Sequence, residues 1–212
     1  MVSLLTSWAL AFMLGLRHAT EPDHVAAVAT LVPEQRNVKR AMQLGAAWGL
    51  GHCLAILACG GAMLLLRLNM SERVSDWLEL SVAALLLVLG ARSIVRALHK
   101  PSAADHTHQI SHHSRRKSLA IGLLHGAAGS GSLAALVFAN MPNLRAGFAY
   151  LLCFGAGSLL GMAALAGLAG TPLRVITQRE KAHALLFACA GLLSLTIGLN
   201  YGLPIARRLF GA

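Results

Sequence analysis

Leu80-Ser-Val-Ala-Ala-Leu-Leu-Leu-Val-Leu-Gly-Ala91 carries no charge and a single hydroxyl, and Ala184–Leu199 carries no charge and two. Blocks of this kind sit in hydrocarbon, where the backbone has no water to bond and must satisfy itself as helix. Composition agrees. The 212 residues are 56% apolar and 12% charged, with mean hydropathy +0.63, whereas a soluble domain carries about 25% charged residues. The fold class is therefore an all-α membrane protein in contact with a lipid bilayer.

Working outward from these two blocks, six spans are expected, over 3–32, 41–66, 77–98, 119–139, 147–168 and 184–203. A crossing needs about 20 residues. The first block is too short to cross between Ser3 and Leu16, and reaches that length only by running through the polar segment 17–24. The first basic residue is Arg17, so no charged segment precedes the apolar stretch and the first span is expected to stay in the mature protein. The first, third and fifth connections hold twelve Lys and Arg, and the opposite side five. The positive-inside rule then puts both termini outside and the long third connection in the cytoplasm, in an inner (plasma) membrane. The formal charge of +10 fits basic loops against anionic lipid rather than nucleic acid, because almost no aromatics are interleaved with it. Cys53, Cys59, Cys153 and Cys189 all lie inside apolar blocks without a CxxC pair, so neither a disulfide framework nor a zinc knuckle is indicated.

Arg17-His-Ala-Thr-Glu-Pro-Asp-His24 packs two imidazoles, two carboxylates and a guanidinium into eight residues. Ionisable groups are costly at membrane depth and mark ion or proton pathways. A regular helix would put His24 about 240° around from His18. Pro22 is expected to interrupt the first helix, letting His18, Asp23 and His24 converge. His52, beside Gly51 in the second span, supplies a third imidazole. Imidazole with carboxylate suits Ni²⁺, Co²⁺ or Zn²⁺ better than Cu(I) or Mg²⁺. Glu21 reads as a ligand or as an acceptor fixing a histidine tautomer, and Arg17 as the partner of a carboxylate. One such residue would suggest a structural surface network; five together with His52 favour a site.

Gly15-Leu-Arg-His18 and Gly122-Leu-Leu-His125 match at an offset of 107 residues, and Gly49-Leu-Gly-His52 resembles Gly155-Ala-Gly-Ser158. With three spans in each half, the second copy would run opposite to the first, an arrangement transporters use around a midplane site. The expected organisation is a first three-helix repeat over 1–98, a cytoplasmic His-rich loop over 99–117 and a second repeat over 118–212. His125 reads equally well as a ligand completing the site and as one hydrogen-bonded histidine in a close-packed helix. Gly126, Gly129 and Gly131 would leave backbone open to a substrate. The pairs Gly45/Gly49, Gly122/Gly126 and Gly157/Gly161 let helices approach closely, either within the chain or in a homodimer.

The segment Arg17-His-Ala-Thr-Glu-Pro-Asp-His-Val25 resembles the RHAxDADHI signature of the nickel/cobalt transporter family, and Leu50-Gly-His52 is similar to the Leu-Gly-His element of that family's next span. The likeness is strongest to its shorter urease-accessory-type relatives. It implies that His18, Asp23, His24 and His52 are metal ligands, that Ni²⁺ or Co²⁺ is the transported substrate with no resident cofactor, and that the chain supplies a nickel-enzyme maturation system. Glu21 stands where the signature has Asp, Pro22 where it has Ala, and the family's later acidic motifs and usual eight spans are absent.

The loop 99–117 holds His99, His106, His108, His112 and His113. It reads as disordered, and as a weak metal collector or a solvated tether. The leading expectation is thus a secondary transporter working by alternating access between two three-span halves, with protonation of the same histidines driving release. No Walker-type phosphate loop points to ATP. The alternatives are export rather than import, a membrane metalloenzyme holding iron, and a thiol-electron carrier, which would need paired membrane cysteines.

Overall fold

The computed structural model describes residues 4–32, 37–99, 112–176 and 180–211, and over them the chain is helical with short connections. Seven helices follow one another: α1 (Leu4–His18), α2 (Pro22–Leu31), α3 (Val38–Leu66), α4 (Glu72–Leu98), α5 (His112–Asn140), α6 (Leu144–Ile176) and α7 (Glu180–Phe210). Helices α3 to α7 each contain a stretch long and apolar enough to cross a bilayer. The chain is a multi-pass membrane protein. Helices α1 and α2, of 15 and 10 residues, are each too short to cross alone.

The helix boundaries follow from local chemistry. Asn37 accepts from the Lys39 amide at 2.9 Å to cap α3, Ser71 accepts from the Val74 amide at 3.4 Å to cap α4, and Asn143 accepts from the Ala146 amide at 2.9 Å to cap α6. Helix α3 loosens into a π-turn over Ile56–Gly60 and ends at Arg67, whose φ of 54° is left-handed. Helix α5 starts at His112, so residues 112–117 of the expected loop are helix. Residues 100–111, with His106 and His108, lie outside the described residues.

Two groups of helices emerge from the packing. Helix α3 runs between α5 and α6, and α1 lies along α6; α4 pairs with α7. Ser93 and Ser194 tie that pair, Ser93 Oγ donating to the Phe187 carbonyl and Ser194 Oγ to the Leu86 carbonyl, each at 2.8 Å. Between the groups sits α2, touching α4, α6 and α7. One apolar core joins Ala26, Ala27 and Val28 of α2 to Trp48, Leu86, Met162 and Ala166; the other gathers Ala11, Ile56, Leu151 and Phe154.

Close approach in a bundle without hydrophobic drive needs small residues. A Cβ on Gly15 would overlap the Phe154 carbonyl oxygen, and one on Gly122 the Trp48 carbonyl oxygen. All three small-residue pairs of the sequence face neighbours within the chain: Gly45 and Gly49 meet α6, Gly122 and Gly126 meet α3, Gly157 and Gly161 meet α1 and its end.

Candidate metal site

The expected helix break is present. Helix α1 ends at His18, and the Thr20 and Glu21 amides bond back three residues to the Arg17 and His18 carbonyls at 2.8 and 3.0 Å. Glu21 is extended (φ −64°, ψ 150°), and α2 restarts at Pro22. Pro22 thus opens the second helix rather than kinking the first: at the first helical position its missing N–H would be unpaired anyway. The residue before a proline is pushed out of helical geometry, which is what ends the link at Glu21.

The break turns the six-residue spacing of His18 and His24 into contact. Their ring centroids are 4.5 Å apart, and His52, rising from α3, lies 5.0 Å from His18 and 5.4 Å from His24. His18 Nε2 and His52 Nε2 are 3.2 Å apart. Adjacent nitrogens around one metal with bonds of about 2.0–2.1 Å stand about 2.9–3.4 Å apart. Neutral imidazoles at this distance share one N–H; a divalent cation bonded to both replaces that proton. One donor atom each from His18, His24 and His52 fits within 4.8 Å of the others.

Carboxylates set the tautomers. His24 Nδ1 lies 2.9 Å from Asp23 Oδ1, and His18 Nδ1 lies 3.0 Å from Glu21 Oε2. An Nδ1–H donated to each carboxylate leaves an Nε2 lone pair for a metal. His24 and His52 are buried, and among the described residues His24 Nε2 and His52 Nδ1 have no hydrogen-bond partner. Buried polar atoms are rarely left unpaired. Helix ends add to the field: a cation beside His18 sits at the negative end of α1, while Asp23 lies in the first turn of α2, where a carboxylate is favoured.

His125, on α5, joins the cluster from the second half of the chain. Its ring is 5.3 Å from His24, its Nδ1 lies 3.2 Å from the Ile121 carbonyl, and its Nε2, 4.0 Å from Asp23 Oδ2, has no hydrogen-bond partner among the described residues. Glu21, Asp23 and His24 also form a second three-donor group nearer the surface. Arg17 is exposed and makes no ion pair among the described residues, so the carboxylate pairing expected for it is not found there. Of the glycines expected to open a backbone surface, Gly126 packs on His52, Gly131 on Met70, and only Gly129 faces open space.

The signature segment and the histidine cluster occupy the part of the chain that a family model also covers. The model described as high-affinity nickel-transport protein, NicO, matches residues 4–127. The chain belongs to the NicO family. That family is one of transporters rather than enzymes, with nickel as substrate. Among relatives, the urease accessory protein UreH of Bacillus sp. (strain TB-90) is 32% identical over 212 aligned positions, covering 94% of this chain and 92% of UreH. Two Arabidopsis thaliana proteins are longer. Chloroplast protein FOR GROWTH AND FERTILITY 2 is 30% identical over 75% of this NicO chain and 45% of its own length. Chloroplast protein FOR GROWTH AND FERTILITY 1 is 28% identical over 95% and 60%. No solved structure matches.

Sequence reasoning missed one residue at this site. Trp48, four residues before His52 on α3, stacks on His24 with centroids 5.3 Å apart and planes at 26°. Its signal was the i, i+4 spacing, which puts it on the His52 face of the helix.

Proposed function

We propose that this NicO protein carries Ni²⁺, with Co²⁺ as a second cargo, across the inner membrane through a site formed by His18, Asp23, His24 and His52, with His125 facing it from α5. The observation that carries this reading is the three histidines His18, His24 and His52, each offering one ligand nitrogen within 4.8 Å of the others beside a broken helix. Helices α1 and α2 then act together as the first of six crossings, the form in which transporters keep exposed backbone beside a midplane site. The twelve basic residues of the first, third and fifth connections favour both termini outside and the histidine-bearing third connection in the cytoplasm.

The proposed repeats, 1–98 and 118–212, are supported by reciprocal contacts. Gly15 meets Phe154 and Ser158 as Gly122 meets Trp48 and His52, and Gly157 meets Phe12 as Gly51 meets Leu119. The bonds Ser93 to Phe187 and Ser194 to Leu86 exchange places under a shift of 101 residues. Because the halves interleave, alternating access would move the α4–α7 pair against the four-helix group, with α2 at their boundary. Its relative UreH is a urease accessory protein, which favours supply of nickel to an enzyme such as urease.

The test is total nickel, cobalt and zinc in cells lacking their own nickel transporters. Expression of the wild type should raise nickel above a His24→Ala control. Nickel below the control would mean export. Equal values for wild type and variant across all three metals would sink the reading.

A further inference from the structure

We propose that Trp48 is a positioning residue for the ion, holding the His24 ring in the plane that points Nε2 into the histidine cluster. The proposal rests on the nickel reading of that cluster. Asp23 grips His24 only at Nδ1, and one hydrogen bond leaves an imidazole free to swing about the bond axis. The indole closes that freedom. It lies nearly parallel over the His24 face, while the His125 ring stands edge-on to both, at 67° to His24 and 82° to Trp48. At 1% exposure Trp48 is the largest fully buried side chain of the chain's described residues. Its backbone is equally constrained, since the carbonyl abuts Gly122.

Packing alone leaves the choice of residue open. Trp48 Nε1 is buried without a hydrogen-bond partner among the described residues, and a buried indole N–H normally finds one. Leu or Phe would fill an apolar space without leaving that donor unpaired. What Trp adds is a broad flat face, the shape that keeps a ligand ring from tilting. Groups that orient a metal-binding histidine typically govern affinity by 10- to 100-fold.

The experiment uses the full chain purified in detergent, with Trp8 and Trp77 replaced by Phe so that Trp48 is the sole indole. Nickel is titrated while indole emission is followed, and bound nickel is counted separately by equilibrium dialysis. Open-shell Ni²⁺ bound next to the stacked pair should quench the emission with the same midpoint as binding, whereas closed-shell Zn²⁺ should not. In the otherwise native chain, Trp48→Leu should weaken nickel binding by roughly 10- to 100-fold, and Trp48→Phe, which keeps a ring over His24, by less. Nickel bound in dialysis without quenching would overturn the role of Trp48 and leave the site standing, as would Trp48→Leu binding like the wild type. No nickel bound by any form would overturn both. The single-indole titration keeps every site residue, so absent quenching refutes the role even if Trp48→Leu does not fold.

Discussion

Replacing Asp23 by Asn tests how the site is built, because Asn keeps an oxygen for the His24 Nδ1–H and removes only the charge. The structure gives two carboxylate–histidine pairs of near-equal length, Asp23–His24 at 2.9 Å and Glu21–His18 at 3.0 Å. Their surroundings differ: the Asp23 side chain is 17% exposed and that of Glu21 53%. Removing the partner of a metal-binding histidine costs about 10- to 100-fold in affinity, or about 1.4–2.8 kcal/mol. Water screens the Glu21 pair, so Glu21→Gln belongs at or below the tenfold end. Asp23→Asn belongs at the hundredfold end, and beyond it if an Asp23 oxygen binds the ion directly. The assay is nickel titration calorimetry on the purified variants, with thermal unfolding to show that both are folded. A larger loss for Glu21→Gln than for Asp23→Asn, or none for Asp23→Asn, would refute the reasoning.

Three further outcomes are expected. Gly122→Ala should destabilise the protein by about 1–3 kcal/mol, because its Cβ would overlap the Trp48 carbonyl oxygen, while Gly129→Ala, with nothing within 4 Å, should be neutral or slightly stabilising; thermal unfolding in detergent compares the two. Ser93→Ala and Ser194→Ala should each cost about 1 kcal/mol in the same assay, since each deletes one 2.8 Å bond between α4 and α7. Nickel at 100 times its dissociation constant should stabilise the folded protein by about 2.7 kcal/mol, and the rise in melting temperature should vanish in His24→Ala; an equal rise in both would place the ion elsewhere.

Much of this fold was legible in the sequence because bilayer physics leaves few options. Uncharged blocks such as Leu80–Ala91 must be helix, and the structure has them inside α4 and α7. The break in the first block was legible from Pro22 and the charges around it, although the proline's role differs: it begins α2 instead of breaking α1. Sequence spacing could not show how helices pair. The contact between Ser93 and Phe187 spans 94 residues, and the partition into an α4–α7 pair and a four-helix group depends on it. At the site, polarity made the histidines visible and hid Trp48, since a tryptophan in an apolar span looks like any other packing residue. Arg17 is a different case. It carries charge beside the cluster in sequence, yet the end of α1 leaves it exposed.

On the proposed two-repeat reading, the asymmetry of the halves explains why one ion site results. A shift of 107 residues takes His18 to His125, Asp23 to Ser130 and His24 to Gly131, and a shift of 106 takes His52 to Ser158. The second half therefore keeps one imidazole and replaces three donors with small residues. Those residues serve packing: Ser158 Oγ donates to the Gly15 carbonyl at 3.3 Å, Ser130 Oγ to the Ala127 carbonyl at 2.7 Å, and Gly131 lies under Met70. A neutral serine hydroxyl is a weaker ligand for Ni²⁺ than an imidazole or a carboxylate, and Gly131 has no donor at all, so they offer the cation little. Helix α5 also runs unbroken from His112 to Asn140, whereas its counterpart is split at residues 19–21. Only the broken first half brings several imidazoles to one point, and the intact second half supplies the wall, with His125, against which that point is held.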